Sequence, residues 1–137
     1  MLKNYEKLKL NIKLLEKNKV GLVVLFGSRI TGTAHLESDI DIGVVFEDEK
    51  FKNKNPLNVY GDLYQIFSNV FKVSDPDIVY LREAPLSLQF KAINEGKIIY
   101  QSSAKFSADY KEEVMIKYFD FQFVENYFNK VFLGEKV

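Results

Sequence analysis

The chain has 137 residues, 47% of them hydrophobic and 28% charged, a balance that suits one globular domain with its own core and excludes disorder. Lysine plus arginine and aspartate plus glutamate each number 19, so the basic surplus that grips a long nucleic acid is missing. Cysteine is absent, which excludes a disulfide framework and a thiolate metal site; no apolar run approaches a membrane span and the first residues lack a signal-peptide pattern, so a cytoplasmic protein is expected.

Residues 2 to 18 place Leu2, Tyr5, Leu8, Ile12 and Leu15 at helical spacing, which predicts an amphipathic helix. The six lysines among the first 19 residues read as its solvated face. Val20 to Phe26 is a short, β-branched, nearly continuous apolar run, as in a strand buried on both faces. Gly27-Ser28 turns the chain, into a short helix ending near Gly32. A second strand is predicted over Ile40 to Phe46, and the polar stretch Glu47 to Asn55 reads as a loop. Pro56 suits a first helical turn, and Leu57 to Phe71 continues that helix, burying Leu63, Ile66, Phe67, Val70 and Phe71. Asp77 to Leu81 reads as a third strand. Pro85 opens a helix that Gly96 closes in the usual C-terminal manner. Lys97 to Tyr100 is a fourth strand, and residues 103 to 132 form one long helical pattern without Gly or Pro. The alternation predicts a single α/β domain over residues 1–137: a small mixed sheet of about four strands flanked by helices, with a long C-terminal helix.

Chemistry concentrates between residues 27 and 41. Gly27-Ser28 follows the first strand, and ten residues separate Ser28 from Asp39 and then Asp41. Residues two apart on a strand point to one side. Asp39 and Asp41 therefore aim two carboxylates at one spot, while Ile40 and Ile42 face apolar packing. Like charges held this close call for a cation, and hard oxygen ligands favour Mg²⁺ or Mn²⁺ over zinc. Gly27 lets the backbone approach a ligand, and N–H groups at a helix start favour an anion. The Ser28 hydroxyl and the Arg29 guanidinium add donors for phosphate. Phosphoryl or nucleotidyl transfer wants a third carboxylate as ligand or base. Asp77 heads the third strand and is the candidate; Asp75 competes, separated from the strand by Pro76. His35, the only histidine, reads as a loop residue.

The pattern Gly-Ser, ten residues, Asp-x-Asp resembles the signature of the DNA polymerase β-like nucleotidyltransferase superfamily, most closely its minimal, MNT-type members. The stretches Asp77 to Pro85 and Asn94 to Tyr100 resemble the second half of these domains, so about residues 20 to 101 are covered. The resemblance implies the polymerase β-like fold and ATP as co-substrate. Gly27 and Ser28 would hold its β- and γ-phosphates. Asp39 and Asp41 would bind a pair of Mg²⁺ ions, with Asp77 sharing one and helping to deprotonate an acceptor hydroxyl that attacks the α-phosphorus. Thr31 departs from the pattern, since many relatives carry a second arginine there. Relatives of this size commonly pair with a HEPN-type toxin, an RNase, and act as antitoxin by adenylylating a toxin tyrosine. Two other readings stand beside this one: a small-molecule nucleotidyltransferase of the aminoglycoside type, and a non-catalytic module that neutralises its partner by contact alone.

The last helix carries nine aromatics between Phe106 and Phe132. One stripe runs Phe106, Tyr110, Val114, Phe121, Phe128, Phe132, and a neighbouring set is Met115, Phe119, Phe123 and Tyr127. A helix lying on its own sheet needs one apolar face. The excess predicts either a broad helix over its own core or a second buried surface, in a homodimer or against a partner.

Overall fold

The computed structural model describes residues 9–27, 40–72 and 75–134. Four strands, β1 (Val20–Phe26), β2 (Asp41–Phe46), β3 (Asp77–Tyr80) and β4 (Lys97–Gln101), form one sheet in the order β3-β2-β1-β4. β1 is antiparallel to both β2 and β4, and β2 is parallel to β3. The mixed sheet expected from the alternation is thus present. All seven residues of β1 are buried, because helices cover both faces of this central strand.

Helices α1 (Ile12–Lys17) and α3 (Pro56–Phe71) cover one face. There Leu15, Val59, Leu63, Ile66 and Phe67 pack on Val23, Leu25, Ile42, Val44 and Phe46. Helices α4 (Leu86–Glu95) and α5 (Ala104–Phe132) cover the other. Here Ala92, Tyr110 and Val114 pack on Leu22, Val24, Phe26 and Val45. In α3, Val70 and Phe71 are only half-buried, and Val59 takes a core place that was not expected. A parallel β2–β3 pair needs a crossover, and α3 supplies it.

Several boundaries differ from the sequence reading. The first helix begins only at Ile12, because the Asn11 side chain accepts from Leu14 N at 3.2 Å and caps it; residues 2–8 of the predicted helix lie outside the described residues. The expected loop over 47–55 contains α2 (Glu49–Lys54). Asp48 caps it, accepting from Lys50 N at 2.9 Å, and Glu49 and Lys54 complement its dipole. β3 stops at Tyr80, and Leu81 opens one 3₁₀ turn (Leu81–Glu83). Gly96 does end α4, but with φ −79° rather than left-handed. Its small size is what matters: a Cβ there would lie 2.3 Å from the Ala92 carbonyl oxygen and 2.4 Å from Val24 Cγ1.

The long last helix has two unlike halves. Tyr110 and Val114 are buried, and the Tyr110 hydroxyl donates to Gln89 Oε1 at 2.8 Å. Arg82 joins Glu113 at 2.8 Å and lies over the Tyr110 ring. Tyr118 stacks on Phe90 with ring centroids 4.0 Å apart. Beyond that contact every residue from Phe119 to Phe128 is exposed. Among the described residues no helix is long and apolar enough to cross a membrane.

Candidate active site

β1 ends at Phe26, and Gly27 follows with φ 110°, a backbone conformation open to glycine and strained for other residues. Gly27 is buried, so the chain leaves the sheet where no Cβ blocks the approach of a ligand. Across the ladder Phe26 pairs with Asp41, and Asp41 pairs with Asp77. Neighbouring strands lie about 4.8 Å apart. Asp41 and Asp77 are therefore adjacent on one edge of the sheet, and Gly27 lies one residue beyond the third strand of that row. Asp41 is half-buried and Asp77 exposed.

In-register neighbours face the same side. Both aspartates share the parity of Val45 and Val79, which pack toward α4 and α5. Ile40, Ile42 and Ile78 take the opposite parity and pack toward α1 and α3, as expected for the residues flanking Asp41. Asp75 is exposed and precedes the strand, behind a buried Pro76, so the ladder aligns Asp77 with Asp41. Phe26 was not singled out from the sequence. Its place beside Asp41, with a ring that fits because Gly43 has no side chain (a Cβ there would be 3.2 Å from Phe26 Cε1), makes it the floor of this edge. The unbroken apolar run of β1 hid that role.

Ser28, Arg29, Thr31, His35 and Asp39, with the short helix expected to end near Gly32, lie outside the described residues. Among the described residues no three His, Cys, Asp or Glu side chains gather as a metal site. Asp41 and Asp77 still offer two hard-oxygen ligands side by side. That donor set fits Mg²⁺, which takes one or two protein carboxylates and completes its shell with phosphate and water.

A second polar cluster sits three residues further along β3. Lys52 is only 5% exposed. It is ion-paired with Glu83 and, at 3.5 Å, with Glu49, and its ammonium lies over the rings of Phe46 and Tyr80. The Tyr80 hydroxyl is buried without a hydrogen-bond partner among the described residues. Burial, then Tyr60 and Glu49, push its pKa up to about 12. Tyr80 pairs with Val44 and shares the parity of Ile42 and Ile78, on the face away from the two aspartates. This cluster belongs to the scaffold.

The family profile described as Polymerase beta, Nucleotidyltransferase matches residues 9–105. The chain belongs to this nucleotidyltransferase family. The nucleotidyltransferase is 28% identical over 113 residues to the protein adenylyltransferase MntA of Aphanizomenon flos-aquae (strain 2012/KM1/D3), covering 78% of this chain and 75% of that one. Among solved structures it resembles a toxin–antitoxin with AMP-PNP, at 30% identity and TM-score 0.56, over 81% of this chain and 86% of the other. A mutant MntA–HpeT toxin–antitoxin matches at 28% identity and TM-score 0.59, over 87% and 90%. The tri-AMPylated Shewanella oneidensis HEPN toxin in complex with MNT antitoxin gives a match at 27% identity and TM-score 0.53, over 81% and 82%. The likeness to minimal nucleotidyltransferases seen in the Gly-Ser and Asp-x-Asp motif thus extends through the fold.

Proposed function

We propose that this nucleotidyltransferase transfers AMP from ATP to a tyrosine hydroxyl of a cognate HEPN-type toxin and so acts as its antitoxin. The observation that carries the reading is the in-register pairing of Asp41 with Asp77 on the sheet edge next to Gly27. Relatives in toxin–antitoxin complexes, one of them with AMPylated toxin, support the choice of acceptor. The whole chain, residues 1–137, works as one domain, in the cytoplasm where ATP is made.

Gly27 and Ser28 cradle the leaving phosphates with backbone N–H groups and a hydroxyl, and Arg29 adds a charged contact. Asp39, Asp41 and Asp77 would hold Mg²⁺, two ions in this reading, whose chemistry is to neutralise phosphate charge as the pentavalent centre forms. Asp77, exposed where Asp41 is half-buried, faces the incoming acceptor and takes the hydroxyl proton. The acceptor oxygen then bonds to the α-phosphorus, the α–β bridging P–O bond breaks, and pyrophosphate leaves. The product is a tyrosine carrying AMP through a phosphodiester bond.

The test is incubation with Mg²⁺, ATP labelled in the α-phosphate, and the product of the adjacent gene. Label is expected on that protein. Label on an aminoglycoside with no protein partner present, or on nothing while the chain is folded, would overturn the protein-acceptor reading.

A further inference from the structure

Past Phe119, whose ring meets Phe90 edge-on with centroids 5.9 Å apart, the rest of α5 exposes an apolar face. Phe121, Val124, Phe128 and Val131 recur at alternating steps of three and four, and each is more than half exposed. That spacing is a two-heptad seam, the pattern that packs one helix along another. Only Asp120, Glu125 and Lys130 are charged between Phe119 and Gly134. The segment continues the packed first half of α5, and what a cover would supply is burial of these side chains.

We propose that the seam pairs, antiparallel, with the same seam of a second copy of this chain. Centred on Asn126, antiparallel pairing sets Phe121 against Val131 and Val124 against Phe128, and each contact occurs twice by the two-fold axis. Every layer then joins one large and one small side chain, which fills space without voids. Parallel pairing instead stacks Phe121 on Phe121 and Val124 on Val124. It also brings Asp120 of one copy beside Glu125 of the other, twice, which is repulsive. The antiparallel arrangement leaves one like-charge approach, Glu125 to Glu125, at a flank where both reach water. With Tyr127 and Phe132 flanking the seam, each copy offers about 600 Å² of exposed apolar side chain, about 1,200 Å² for the pair, the lower edge of a stable interface. Pairing of this kind is independent of the chemistry at Asp41 and Asp77.

Sedimentation equilibrium on the full chain tests it. Twice the chain mass is expected for the wild type at tens of micromolar, and a single chain mass for Phe121→Glu with Phe128→Glu, whose sheet amide resonances stay as dispersed as in the wild type. Glu125→Gln should tighten the dimer. The chain has no native cysteine, so register can be read by oxidation of introduced ones: Val124→Cys copies should link to Phe128→Cys copies and not to one another. A wild type of single-chain mass, as expected if another protein's helix is the occupant, would overturn the proposal. So would Val124→Cys copies that link to themselves alone.

Discussion

Asp77 earns its place from register. The ladder sets it beside Asp41, while Asp75 is held outside the strand by Pro76. Asp77→Asn should therefore lower the rate of adenylyl transfer by about 10²–10⁴-fold, the range for a lost general base, whereas Asp75→Asn should stay within about twofold of wild type; single-turnover rates at saturating ATP compare them. A second residue-scale prediction concerns Tyr80. Its folded pKa of about 12 lies above the ordinary 10.0, so the unfolded chain loses this proton first. The stability linked to it is whole below pH 10 and is lost as pH rises through about 12. Denaturant titrations of Tyr80→Phe should show a shallower alkaline decline. The decline will not vanish, because burial also raises Tyr100 and Tyr110. At neutral pH the same variant should be unchanged or up to about 1 kcal/mol more stable, since it removes a buried hydroxyl without a partner.

At the scale of elements, α2 is the instructive case. Its residues, Glu-Lys-Phe-Lys-Asn-Lys, offer one apolar side chain and no period to read. The helix exists because Asp48 caps it and because Lys52 is drawn between Glu49, Glu83 and two aromatic rings. The charge and the stem of Lys52 separate by mutation. Lys52→Met keeps the stem over the rings and frees carboxylates that can rehydrate, so its unfolding free energy should lie within about 1 kcal/mol of wild type. Lys52→Ala also removes the packed stem and should cost about 2–3 kcal/mol. The junction of α4 and β4 is tight in another way. Gly96→Ala would press a methyl group against Ala92 O and Val24, and a cost of about 1–3 kcal/mol is expected in the same titration.

For the whole molecule, β1, β2 and the crossover helix α3 were legible because double-sided burial leaves unbroken apolar runs and because Pro56 marks a helix start. Helix ends were less legible. Asn11 looks like one more polar position in a lysine-rich pattern, and only its side-chain bond shows that the helix begins there. In the candidate site, Gly27, Asp41 and Asp77 could be named from residue type and spacing, but their alignment needed the strand order, since both pairs in the row, Phe26 with Asp41 and Asp41 with Asp77, join residues far apart in sequence. The apolar excess of the last helix was visible, and the structure divides it into a packed half and an exposed half. The central claim is that catalysis by Asp39, Asp41 and Asp77, rather than contact alone, neutralises the partner. The direct measurement is growth of cells expressing the adjacent-gene toxin together with Asp39→Ala plus Asp41→Ala at wild-type abundance. Loss of protection, with no AMP on the toxin by mass spectrometry, is predicted; full protection by this double variant would contradict the account.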